Sequence, residues 1–178
     1  STLSWSQVST GTSHNVAITT TGALYVWGNN TYGQLGDQTA IAKSAPIQIN
    51  VGVSYTKISA GFSNTAAIDN SNNLYLWGFN GTGQVGDNTT VNKSSPVQIA
   101  GTWSSITTKS SNTIAVTSLG QLWAWGSNAS GQFGNGTTIN QSSPIQVGSA
   151  TNWNFVTAGG YNFFATKTNG SLWACGYN

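Results

Sequence analysis

The 178-residue chain carries five Lys or Arg, three Asp or Glu, a net charge of +2 and only 4% charged residues. Lys43, Lys57, Lys93, Lys109 and Lys167 stand singly, which argues against nucleic acid, because a phosphate backbone demands clustered cations. Eight Trp, six Tyr and six Phe supply buriable area at regular intervals, so low charge does not mean disorder here. No apolar run reaches the roughly 18 residues of a membrane-spanning helix. Cys175 is the single cysteine, which excludes an internal disulfide. The chain also lacks Met, and we read it as a processed chain or, preferably, as a segment of something longer.

In chain order, Trp5 to Val8 predicts a short strand, followed by a Gly-rich turn and a small-apolar strand at Val16-Ala17-Ile18. A tight turn at Gly22 leads into Leu24-Tyr25-Val26-Trp27. A longer connection then reaches Pro46 and a last short strand, Ile47-Gln48-Ile49, where proline suits the start or edge of a strand. The same order recurs from Tyr55, Trp103 and Trp153. Trp27-Gly28, Trp77-Gly78, Trp125-Gly126 and Cys175-Gly176 follow at intervals of 50, 48 and 50 residues. Ala17, Ala67, Ala115 and Ala165 keep that register, as do Leu24, Leu74, Leu122 and Leu172. Asn72 replaces the turn glycines Gly22, Gly120 and Gly170, the substitution expected where φ is positive.

No helical period is sustained. The chain therefore reads as all-β, with about four blades of four antiparallel strands spanning approximately 4–53, 54–101, 102–151 and 152–178, the last incomplete. One four-stranded unit cannot bury both faces, so the units must stack.

The phrases Trp27-Gly28-Asn29-Asn30-Thr31-Tyr32-Gly33-Gln34-Leu35-Gly36-Asp37 and Trp77-Gly78-Phe79-Asn80-Gly81-Thr82-Gly83-Gln84-Val85-Gly86-Asp87, with Gly11-Thr12-Ser13-His14-Asn15-Val16-Ala17, closely resemble the regulator of chromosome condensation repeat. Copy three keeps the phrase from Trp125 to Asn135. The resemblance implies a β-propeller, of which four units make about half the family's usual ring. The rest is expected from further chain or another subunit. The Ser/Thr/Asn-rich style resembles bacterial secreted and phage structural versions of the family, and implies a virion or extracellular location.

Candidate sites are few. The Gly-Gln-x-Gly-Asp segments lack the Gly-Lys-Ser/Thr of a P-loop and read as structural turns, with Gln34, Gln84 and Gln132 expected to bond backbone between blades. His14 is replaced by Asn64, Asn112 and Asn162 in the other copies, so hydrogen bonding in a turn is expected rather than catalysis. Asp37 and Asp87, with Asn135, read as turn caps, one carboxylate per copy being too few for calcium. No catalytic residue, metal site or cofactor is assigned. The aromatics outside the repeat register, Tyr32, Phe79, Tyr161 and Tyr177, lie in or beside loops and are the ligand-binding candidates. The expected function is a non-enzymatic structural or binding module on a virion or cell surface, recognising protein or carbohydrate through the ring-face segments Gln38 to Ser44, Asn88 to Ser94 and Thr137 to Ser143. The alternatives are an intracellular regulatory propeller and a secreted enzyme inhibitor.

Overall fold

A computed structural model describes residues 3–176, among which every regular element is a β-strand. The first sheet pairs β1 (Trp5–Thr10), β2 (His14–Thr19), β3 (Leu24–Gly28) and β4 (Lys43–Ile49) in that order. The second repeats it with β5 (Tyr55–Ala60), β6 (Asn64–Asp69), β7 (Leu74–Gly78) and β8 (Lys93–Ile99). The third has β9 (Trp103–Lys109), β10 (Asn112–Thr117), β11 (Leu122–Gly126) and β12 (Gln141–Gln146). The fourth holds three strands, β13 (Trp153–Ala158), β14 (Asn162–Lys167) and β15 (Leu172–Gly176). All pairings are antiparallel, as the repeat predicts.

Local chemistry explains the hairpins. Between β2 and β3 and its counterparts, Gly22, Gly120 and Gly170 have φ of 85°, 74° and 83°, and Asn72 takes φ 64° in their place. Asp69 caps that turn by accepting from the Ser71 and Asn73 amides, both at 2.8 Å. The prolines sit on edge strands, as one half of the expectation had it, but not at strand starts. Pro46, Pro96 and Pro144 lie inside β4, β8 and β12 rather than at their starts. These are the outer strands of their blades, so a missing N–H forfeits no ladder bond on the open side.

β1, β5, β9 and β13 pack in succession and form the inner wall of an arc. Its core lies between the sheets. Val16, Ile18, Leu24 and Val26 of blade 1 meet Tyr55, Ala60, Ala67 and Trp77 of blade 2. The same arrangement joins Ile68, Leu74 and Leu76 to Trp103, Ala115 and Trp125, and then Ile114, Val116 and Leu122 to Trp153, Phe163 and Ala165. Strand alternation accounts for this: the second strand sends Ala17, Ala67, Ala115 or Ala165 one way and its branched neighbours the other. The small residues leave room for the preceding blade. At the arc's ends the outward faces are uncovered, with Trp5 and Val8 44% and 68% exposed on blade 1, and Phe164 and Leu172 39% and 66% exposed on blade 4. The ring does not close within the arc.

Candidate binding face

Because each second strand runs antiparallel to its neighbours, the β1–β2-type turns and the long β3–β4-type connections emerge at the same ends of the blades. One face of the arc therefore carries residues 11–13, 61–63, 110–111 and 159–161 together with 29–42, 79–92 and 127–140. The opposite face carries the β2–β3-type hairpins and the blade-to-blade connections.

Each long connection is organised by one buried asparagine. Asn30 Nδ2 donates to Asp37 Oδ1 (2.9 Å), Thr39 O (3.1 Å) and Ile41 O (3.2 Å), and its Oδ1 accepts from the Leu35 amide at 2.9 Å. Asn80 does the same in its blade, and Asn128 repeats the bonds to Thr137 O and from the Phe133 amide but not the second carbonyl bond. Asp37 accepts from the Thr39 amide and hydroxyl and pairs with Lys43 at 3.3 Å; Asp87 pairs with Lys93 at 2.5 Å. Burial alone would raise both carboxyls, but hydrogen bonds from Thr39, Asn30 and Lys43 hold Asp37 below its ordinary pKa. Lys93 and Thr89 do the same for Asp87. These residues are turn caps. Among the described residues, no group of three or more His, Cys, Asp or Glu gathers to hold a metal.

Two expectations are corrected. The Gln34 side chain does not cross to the next blade: its Oε1 accepts from the Tyr32 amide and its Nε2 donates to Asn29, both at 2.9 Å. The main-chain carbonyl of Gln34 makes the crossing, accepting from Thr65 Oγ1 at 2.8 Å and Trp77 Nε1 at 2.9 Å. Gln84 O repeats this with Thr113 and Trp125. A φ of +71° and an indole at the position a Cβ would occupy explain why Gly36 must follow. His14 likewise bonds across the seam rather than within its turn, with Nε2 2.9 Å from Thr65 Oγ1. Since Thr65 gives its hydrogen to Gln34 O, the imidazole is the donor and Nε2 carries the proton. Burial lowers its pKa from 6.5 to about 4 and keeps the ring neutral.

The structure brings Tyr32 and Phe79 together, their rings edge to face at 5.0 Å across the first seam. Tyr161 is 64% exposed on the same face at blade 4. Tyr177 lies outside the described residues. Sequence reasoning missed Phe62, 54% exposed, and Lys109, whose ammonium has no carboxylate partner among the described residues. Both line a hollow of about 210 Å³ to which all four blades contribute, including Thr12, Ser110 and Gly160. The available signal was a break in register: Phe62 stands where the other copies have Thr12, Ser110 and Gly160. Cys175 is half-buried, and burial raises its pKa, so the thiol stays protonated. No helix among the described residues is long and apolar enough to cross a membrane.

The regulator of chromosome condensation (RCC1) repeat matches the chain at residues 21–68, 71–115 and 120–165, and a second form of that repeat matches 5–34, 55–84 and 103–132. No curated protein sequence matches the chain. Human WBSCR16 is similar in structure, with TM-score 0.86, 21% identity and 97% of this chain covered against 47% of that one. Yeast RCC1 (Prp20), solved with Kap60 bound, has TM-score 0.84 and 17% identity over 98% of this chain and 44% of the other. The receptor kinase CR4 ectodomain of Physcomitrella patens has TM-score 0.63 and 20% identity over 98% and 41%. The chain spans less than half the length of each of these proteins.

Proposed function

The chain belongs to the regulator of chromosome condensation (RCC1) repeat family, and on that premise we propose that it is a non-catalytic, protein-binding part of a propeller, acting through the face that carries its long connections. The observation that supports this most directly is the gathering of exposed apolar groups there. Tyr32, Phe62 and Tyr161 come from three blades, and Tyr32 packs edge to face against Phe79 of a neighbour. Large aromatics exposed on one face are the side chains that dominate protein interfaces, and Phe62 also lines the hollow there. The segments 38–44, 88–94 and 137–143 surround them with polar groups that suit a hydrogen-bonded rim. Carbohydrate is the second ligand class that such a neutral, aromatic surface would suit.

Solved Prp20p of Saccharomyces cerevisiae is described by its binding to Gsp1p and histones; partners of that kind enter here only as a class, folded proteins. On this reading the open faces of blades 1 and 4 are covered by further blades, from the same protein or another subunit. The 4% charge content supports an extracellular or virion setting, while family membership supports an intracellular regulatory one equally.

The double variant Phe62→Ser/Tyr161→Ser should lose partner capture from a host extract with an unchanged melting temperature, while Leu119→Ser on the opposite face keeps it. Equal capture by all three proteins would overturn the reading, and retention on a glycan panel instead would replace protein with carbohydrate. A monomer in solution whose first and last blades meet would remove the need for further blades.

A further inference from the structure

Each blade holds an edge-to-face aromatic pair, one ring from its first strand and one from its third. The pairs are Trp5–Tyr25, Tyr55–Tyr75, Trp103–Trp123 and Trp153–Trp173, with centroids 5.3, 6.1, 6.4 and 5.9 Å apart. Opposite the first ring, in register, stand Thr19, Asp69, Thr117 and Lys167 respectively. The occupants of the cleft therefore differ while its frame does not.

In blade 2 the frame is satisfied internally. Asn50 Nδ2 donates to Tyr55 Oη at 2.7 Å, and Tyr75 Oη donates to Asp69 at 3.4 Å. In blade 4 the chain places a cation there, Lys167 Nζ lying 4.7 Å from the Trp153 ring centroid and 4.8 Å from that of Trp173. Blade 3 has the same two tryptophans at almost the same angle, 78° against 77°. Thr117 is too short to fill their cleft, and a cavity of about 350 Å³ opens beside it, lined by Trp103, Trp123, Thr102, Thr117, Leu119 and Gln121. A short connection contributes. Residues 100–102 join β8 to β9, whereas residues 50–54 and 147–152 join the other pairs of blades.

We propose that the Trp103–Trp123 cleft receives the ammonium group of a lysine side chain, bare or methylated, presented by a protein partner. The geometry is the one blade 4 already uses for Lys167. Indole faces attract a cation through the ring quadrupole, most strongly for tryptophan. No charged residue lines the cavity to repel or pair with it. The apolar lining, Leu119 and Pro144, suits a four-carbon stem. Without a carboxylate, the cleft favours the methylated ammonium, which is less strongly hydrated than a bare one. The indole N–H groups of Trp103 and Trp123 lack acceptors, but so does that of Trp153 in the cleft Lys167 occupies. Unpaired indole N–H groups are thus compatible with a cation and do not by themselves call for a neutral acceptor such as a sugar hydroxyl. The cleft lies on the face opposite the Tyr32–Phe79 pair and is independent of the function proposed above.

The test follows the indole N–H resonances by NMR while the full chain is titrated with short peptides carrying lysine, trimethyl-lysine or norleucine. The Trp103 and Trp123 signals should shift saturably with trimethyl-lysine, less with lysine, and with about tenfold weaker affinity for norleucine. Thr117→Lys, which copies blade 4, should fill the cleft and remove those shifts. If that variant fails to fold, Lys167→Thr should instead open a second cleft and add saturable shifts at Trp153 and Trp173. Equal affinity for norleucine, silence of both indoles, or preference for choline or a neutral sugar over the lysine peptides would overturn the proposal.

Discussion

The seam between blades 2 and 3 and the seam between blades 3 and 4 come from one repeat, yet they are fastened differently. In the first, Gln84 O receives Thr113 Oγ1 at 2.8 Å and Trp125 Nε1 at 3.0 Å. In the second, Phe163 and Cys175 stand at the cross-strand positions of Thr113 and Trp125. The aromatic bulk has moved from the third strand to the second, and neither replacement can give the Gln132 carbonyl a comparable hydrogen bond. Gly86 is buried under an indole, whereas its counterpart Gly134 faces the Cys175 sulfur and is exposed. What remains across the second seam is apolar contact, the main-chain bond from Trp153 N to Gly120 O at 3.0 Å that has counterparts in the other seams, and longer bonds from Val156 N to Ser105 at 3.3 Å and Ala158 N to Thr107 at 3.2 Å. Apolar burial with these amide bonds is thus enough to stack a blade without the clasp. The polar clasp adds a fixed seat for the Gly-Gln loop.

The largest effect should come from breaking the stronger seam. Trp125 is fully buried, so Trp125→Ala should cost about 3–5 kcal/mol through lost packing and a cavity. Cys175→Ala, at the same repeat position, should cost about 1 kcal/mol. Urea midpoints compare the two, and equal losses would break the contrast between seams.

A second expectation concerns the seam between blades 1 and 2, the one fastened by a histidine. The folded pKa of His14 is about 4 against 6.5, so the unfolded chain binds the extra proton first as pH falls. Its stabilising contribution is therefore complete above pH 6.5, declines as pH falls, and is exhausted near pH 4. The span corresponds to about 3 kcal/mol. His14→Asn installs the residue found at Asn64, which reaches Thr108 Oγ1 across its own seam at 2.5 Å. That variant should fold and show a flatter dependence between pH 7 and 4, measured by thermal unfolding. An unchanged slope would place the titration elsewhere.

Sequence periodicity made the blades legible because stacking repeats the same demand every copy: a small residue at Ala67, a branched one at Ile68, a positive φ at Asn72. It also singled out Tyr32 and Phe79, which share no register with the packing aromatics. The crossing bond was not legible, since it is made by a main-chain carbonyl that any residue at position 34 would possess. The Gln34 side chain is needed for the turn beneath it. Phe62 and Lys109 were missed for a different reason. Phe62 lies in a turn and Lys109 ends β9, at blade ends that converge only when the blades are stacked, and residues 50, 48 and 50 apart, from Thr12 to Phe62 to Ser110 to Gly160, have no reason to meet in a linear reading.

A pair of swaps sharpens the contrast at intermediate size. Cys175→Trp alone should overpack against Phe163 and Gly134, and Phe163→Thr alone should leave a cavity among Val116, Val156 and Ala165. Together they recreate the Thr113–Trp125 pair and supply two donors to Gln132 O. The double variant should therefore be more stable than the sum of the singles by about 1–3 kcal/mol in a thermodynamic cycle. Simple additivity would show that the seam between blades 3 and 4 has diverged too far in backbone to accept the clasp.

The smallest effect separates charge from geometry in the long connections. Blades 1 and 2 hold this connection with Asp37–Lys43 and Asp87–Lys93, while blade 3 uses Asn135 and Gln141 at those positions. In all three the organising asparagine donates to the main-chain carbonyl of the threonine two residues beyond the Asp or Asn position. Asp37→Asn with Lys43→Gln converts the first connection to the third and should change stability by less than about 1 kcal/mol, because partly exposed ion pairs are screened. Hydrogen bonding holds the Asp37 carboxyl below its ordinary pKa, so its contribution is present above that value and disappears as pH falls through the folded one. That window lies below the histidine's, and the two can be read from one pH series: His14→Asn should alter the limb from pH 7 to 4, and the Asp37 variant only the limb beneath it. A larger loss in the Asp37 variant at neutral pH would mean that charge, rather than the buried asparagine, shapes these connections.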